Sequence, residues 1–170
     1  MKTAKRLLAL ALAGVMALAL LTGCSDSRSK AKQVEECFRS LMKTRQNVDY
    51  QKDETLDKKL EAIAQQFQPD WLDNRTGGLT EHARTIIINE LRGYLLTGSV
   101  WLWYGEVKPG QSALAQAESM KYSQGIEIAL LDSGIPTLQA IAFTMTDKKS
   151  DGHRYYLALE TFATINTPRT

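Results

Sequence analysis

Two glutamates stand where a buried strand would carry an apolar residue, Glu127 in IEIALL and Glu160 in LALETF. A carboxylate drawn into apolar surroundings is raw material for acid–base chemistry, because desolvation favours its protonated form. Strand alternation offers both a simpler place pointing to solvent, and burial without a partner is costly, so the solvent-facing placement is the expectation for each. The two histidines, His82 and His153, belong to no His-x-x-x-His spacing, and no Cys-x-x-Cys occurs, so no metal and no cofactor are expected. Cys37 lies on an apolar helical stripe with no histidine or basic cluster on that face to lower its pKa, which reads as a small buried hydrophobe.

Ser40-Leu41-Met42-Lys43 matches the Ser-x-x-Lys spacing of penicillin-binding proteins and β-lactamases, in which lysine or a nearby base activates the serine. The Ser-Asp-Asn and Lys-Thr-Gly companions are absent and the chain is short for that fold, so the match reads as chance on a solvated helix face. The Asn74-Arg75-Thr76 sequon carries little information by itself. No nucleophile, base or metal constellation emerges, and a non-catalytic role is the leading expectation.

The address is plainer than the activity. Lys2, Lys5 and Arg6 precede an apolar run from Leu7 to Leu21, 15 residues long, which then gives way to Thr22-Gly23-Cys24-Ser25. A charged start, a short apolar segment and a small-residue site form a secretory signal, whereas a spanning helix needs about 20 apolar residues. The order Leu21, Thr22, Gly23, Cys24 resembles the lipobox of bacterial lipoproteins. It implies diacylglycerol on the Cys24 thiol, cleavage after residue 23, and a cell-membrane anchor holding the protein on the extracytoplasmic side. Two or more acyl chains anchor stably, at about 0.8 kcal/mol per buried methylene. A thioether at Cys24 leaves Cys37 with no intramolecular disulfide partner.

Without residues 1–23 the chain loses three cationic side chains, so 21 basic residues become 18 against 19 acidic, and the net charge falls from +2 to −1. Near-balanced charge with no basic cluster gives no footprint for nucleic acid. Residues 24–32 are small, polar and charged and read as a lipidated N-terminus and tether, followed by a single domain over 33–170.

Apolar spacing predicts three helices. The first carries Val34, Cys37, Phe38, Leu41 and Met42. The second follows an Asp53 cap with Leu56, Leu60, Ile63, Ala64 and Phe67 and stops before Pro69, and the third follows a Thr80 cap and runs through Leu96. After Gly98 the pattern turns extended, with Val100, Leu102 and Tyr104 on one face and Trp101 and Trp103 on the other. A short helical crossing in SALAQAESM precedes strands over 122–131, 137–146 and 154–165, whose short turn-rich connections predict an antiparallel meander.

The fold class is therefore α+β, about three N-terminal helices packed on one face of a curved four-stranded antiparallel sheet. That order of elements resembles the NTF2-like (cystatin-like) superfamily. The resemblance implies a cone with a cavity between helices and sheet, where Glu127 or Glu160 would serve as a general base and Tyr104 or Tyr155 as its donor. Helices on one face cannot cover aromatics on both, so Trp101, Trp103, Tyr104, Glu127, Tyr155 and Glu160 form the candidate pocket or interface, and a second copy is one candidate cover. Three functions follow: a lipid-anchored module binding a small molecule or an envelope protein, a small NTF2-fold enzyme using a cavity carboxylate, and a structural envelope homodimer.

Overall fold

The computed structural model describes residues 27–73, 78–123, 125–129 and 138–165. Residues 7–21, the apolar run, lie outside them, as do Cys24 and Asn74.

Helix α1, Ser27–Gln46, buries Val34, Phe38 and Met42 along one stripe, with Cys37 and Leu41 packed at its margins. Lys43 and Arg45 in its last turn complement the negative helix end. Residues 27–32, expected as an unfolded tether, are helical: once a docked stripe has nucleated the helix, each further residue adds a hydrogen bond, and Ala31 still reaches the packed cluster. Helix α2, Glu54–Gln66, begins where the Asp53 carboxylate accepts the Leu56 N–H at 2.8 Å. It buries Leu56, Leu60, Ile63 and Ala64, and Phe67 and Trp71 meet edge-on beyond its end. Helix α3, Glu81–Leu91, is capped by the Thr80 hydroxyl accepting the Ala83 N–H.

The third helix was expected to run through Leu96 and stops at Leu91. Gly93 adopts φ 82°, which turns the chain, and Leu95 already belongs to strand β1, Leu95–Glu106. Helix α4, Ala113–Ser119, follows with Ser112 as its cap. Strands β2 (Lys121–Tyr122), β3 (Ile126–Ala129), β4 (Leu138–Met145) and β5 (Tyr155–Ile165) complete the described chain.

The fold is α+β, with four α-helices and an open antiparallel sheet of five strands among the described residues. β1 is central: β5 runs along one edge, and β2 and β3 share the other in succession. Four strands with a closing meander were expected. Only the β4–β5 half of the meander is present, because β3 pairs with Gly98–Val100 of β1 and not with β4. The reason is the length of β1: twelve residues, apolar on both faces, need partners on both edges. The expected strand over 122–131 is broken at Ser123, which exchanges two hydrogen bonds with Leu102.

Helices cover both faces of this sheet, where one was expected. Val100, Leu102, Ala140, Ala142, Leu157 and Leu159 pack with α2 and α3. The alternate residues Trp103, Ile141, Tyr156 and Ala158 pack with α1 and α4. The first helix thus supplies the cover for which a second copy was a candidate.

Candidate functional site

Antiparallel register places the residues of the α1 face in rows across the strands. Glu127, Ser99, Phe162 and Gln139 form one row; Trp101, Glu160 and Ile141 the next; Tyr122, Trp103, Ala158 and Phe143 a third. Helix α1 covers the third row, with Phe38 edge-on to Trp103 at 5.4 Å. It ends at Gln46, short of the first two rows. Asn47 then turns through a left-handed φ of 55°, and the connector to α2 returns over the sheet, fastened where the Gln51 N–H donates to the Gln139 carbonyl at 2.8 Å.

A cleft of about 370 Å³ remains beyond the end of α1, lined by Arg45, Gln46, Trp101, Trp103, Tyr122, Glu160 and Phe162. At its floor Glu160 is 4 % exposed. The Tyr50 hydroxyl donates to Oε1 at 2.5 Å, and the Trp103 indole N–H donates to Oε2 at 2.8 Å. The indole can only donate, so Glu160 is the acceptor there. Burial, followed by the hydrogen bond to Glu160 and its charge, pushes the Tyr50 hydroxyl far above its ordinary pKa, which keeps the donor proton in place. Both donors are neutral, and among the described residues the ion pairs join Glu35 to Arg39, Asp49 to Lys43 and Glu106 to His153, none of them Glu160.

The walls are aromatic. Trp101 meets Phe162 edge-on at 5.9 Å, Tyr50 also meets Phe162 edge-on at 5.9 Å, and Tyr122 leans on Trp103 at 4.9 Å while remaining 62 % exposed at the rim. Gly125 leaves room for the Trp101 indole, since a Cβ there would stand 3.0 Å from Nε1.

Of the expected site residues, the structure brings Trp101, Trp103 and Glu160 together. Glu160 was expected to face solvent and is buried, and its two donors offset part of the cost of that burial. Glu127 lies on the same face, one row out, exposed and accepting the Ser99 hydroxyl at 2.7 Å. Tyr104 and Tyr155 point to the opposite face. Tyr104 packs against the α2 and α3 cluster, and Tyr155 packs on Phe67 at 5.3 Å while donating to Asp151, so neither is a donor to these glutamates. Sequence reasoning missed Tyr50, Arg45, Gln46 and Phe162 as site residues. A lone aromatic in the polar connector NVDYQKD, and a Phe two residues after Glu160 and therefore on its face, were the available signals.

His82 is exposed, and among the described residues no three His, Cys, Asp or Glu side chains gather as a metal site. Burial, then the charge of Glu36, pushes the Cys37 thiol up, away from nucleophilic use. A larger hollow of about 580 Å³ lies by the β4–β5 connection, where Lys149 holds the α2 end by donating to the carbonyls of Ala64 and Gln65 at 2.7 and 3.2 Å.

Tyr50→Phe tests the floor of the cleft. It removes one donor to a buried carboxylate while keeping the ring on Phe162, and should lower stability by about 1.5–3 kcal/mol in urea unfolding. An unchanged midpoint would mean that water replaces the hydroxyl and that the connector does not seal Glu160.

Comparison with protein-family models, curated proteins and solved structures found no match. The chemistry of the cleft therefore has to be read from its own residues. Each Glu160 oxygen accepts one donor and keeps a second lone pair for a further contact.

Proposed function

We propose that this chain is a lipid-anchored, extracytoplasmic, non-catalytic module that binds a small ligand in the cleft at the end of α1. The observation that carries the reading is Glu160, a carboxylate buried at the floor of an open aromatic cleft and held there by Tyr50 and Trp103. Ligand sites of a few hundred Å³ with apolar walls and a small number of placed polar groups have this composition. The anchor rests on Cys24 and its leader. Among the described residues no helix is long and apolar enough to cross a membrane. Kinship with NTF2-like proteins has the support of its element order, helices before an antiparallel sheet. The helix on the second sheet face departs from the one-sided cone that this kinship implies.

A second reading, an enzyme using Glu160, is favoured by one contact: a cleft carboxylate within hydrogen-bond reach of a tyrosine, here Tyr50. Native mass spectrometry of the full chain released from detergent separates the readings. A discrete non-covalent mass that leaves unchanged after prolonged incubation is the expected result. Release of a chemically altered mass would favour the enzyme, and a chain bare in every preparation would overturn the binding reading. Acyl mass lost in Cys24→Ser checks the anchor.

A further inference from the structure

We infer that the ligand of this cleft is a small organic cation, a quaternary or primary ammonium, recognised by aromatic walls over the Glu160 carboxylate; this rests on the binding reading above. Three features of the site converge on positive charge. The floor carries a carboxylate whose two hydrogen-bond donors, Tyr50 and Trp103, are neutral, so its hydrogen bonds are satisfied while its charge has no paired cation. The walls include Trp101, Trp103, Tyr122 and Phe162, and the negative π-face of an aromatic ring attracts an ammonium most strongly when water is excluded. Glu127 places a second carboxylate on the same sheet face, one row beyond Trp101.

An anion has one attraction here, the Arg45 guanidinium on the rim. Arg45 is exposed, in the last turn of α1, where the helix dipole also favours it. An anion seated beside Arg45 would face Glu160 across the cleft, and like charges repel. A cation is opposed only by Arg45, which can swing into water. The sign of the Arg45 effect therefore reports the sign of the ligand.

The probes are choline and its neutral isostere 3,3-dimethylbutan-1-ol, titrated into the full chain in detergent while the indole N–H resonances of the three tryptophans are followed. The Trp103 N–H sits on the Glu160 carboxylate and reports it directly. Choline should move the Trp103 and Trp101 resonances and leave Trp71, buried on the other side of the sheet, in place. The neutral isostere should bind at least about ten-fold more weakly. Glu160→Gln should weaken choline by about ten-fold or more. Its amide fits the site, since the carbonyl can accept from Trp103 while the NH₂ donates to the Tyr50 hydroxyl. Arg45→Gln, a surface substitution that removes one favourable charge from the end of α1, should strengthen choline several-fold. Equal affinity for the isostere, or weaker choline binding in Arg45→Gln, overturns the cationic assignment and leaves the binding reading standing. Silence of Trp101 and Trp103 to both probes overturns the cationic assignment, and the mass measurement then decides the binding reading separately. Phosphatidylcholine vesicles in place of choline distinguish a lipid headgroup from a free solute as the source of the same cation.

Discussion

Trp103→Ala should lower the unfolding free energy by about 3–5 kcal/mol, the range for truncating a buried tryptophan. Trp103 is 7 % exposed and joins three parts of the molecule. Phe38 of α1 packs edge-on against it, Tyr122 of β2 leans on it, and its N–H holds Glu160. Truncation removes the apolar area under α1 and also leaves a buried carboxylate one donor short. A small domain holds only about 5–15 kcal/mol in total, so this one change should remove a large share of it. Trp103→Phe separates the two contributions, because it keeps most of the ring area and removes only the donor, at a cost of about 1.5–3 kcal/mol. Urea unfolding followed by circular dichroism measures both. A loss below about 1 kcal/mol for the alanine variant would mean that α1 does not rest on this face.

That result bears on function because α1 defines the cleft by where it stops. Its stripe is satisfied by Met42, and Gln46 is its last residue, so the Trp101 and Glu160 row lies just beyond its reach. The connector then brings Tyr50 over the Glu160 carboxylate. A longer helix would bury the row completely, and a connector without Tyr50 would leave Glu160 with one donor. The cleft is thus the gap between a helix that covers apolar residues and a loop that supplies one polar contact.

What was legible in the sequence was local. The Asp53 and Thr80 caps, the stripe of Val34, Phe38 and Met42, and the alternation of Val100 and Leu102 against Trp101 and Trp103 all follow from short-range spacing, and the structure has them. The end of α3 was not legible, because Tyr94 and Leu95 continue a helical spacing and also begin an extended one, and the left-handed turn at Gly93 decides between them. Strand order was not legible either. The short β4–β5 connection signalled a neighbour, but the pairing of β3 with β1 depends on which edge of β1 is free once β5 has taken the other. Glu160 shows the same limit at the site. Its place in a strand was readable, but its burial depends on Tyr50, 110 residues earlier in the chain, and on Trp103, 57 residues earlier.

Gly98→Ala should be the most damaging of the small substitutions, costing at least about 3 kcal/mol, because backbone strain of about 1–3 kcal/mol adds to a clash that no side-chain movement relieves. Gly98 has φ 130°, a conformation that residues with a Cβ rarely adopt. A Cβ built there would stand 2.5 Å from the Ala163 Cα and 2.8 Å from its Cβ, so β1 and β5 would have to separate at the register shift where β1 also meets β3. Gly110→Ala is the control, since Gly110 also has a positive φ of 85° but nothing lies within 4 Å of the added carbon. That variant carries backbone strain alone, about 1 kcal/mol. If both variants lose the same stability in thermal or urea unfolding, strain accounts for the effect and the strands are not in close contact at Gly98. If Gly98→Ala loses far more, β1 and β5 are clamped there. The clamp sits one residue before the Ser99 and Phe162 row that forms the wall of the cleft. Opening it should therefore loosen Phe162 from Trp101 and weaken binding at temperatures where the chain is still folded.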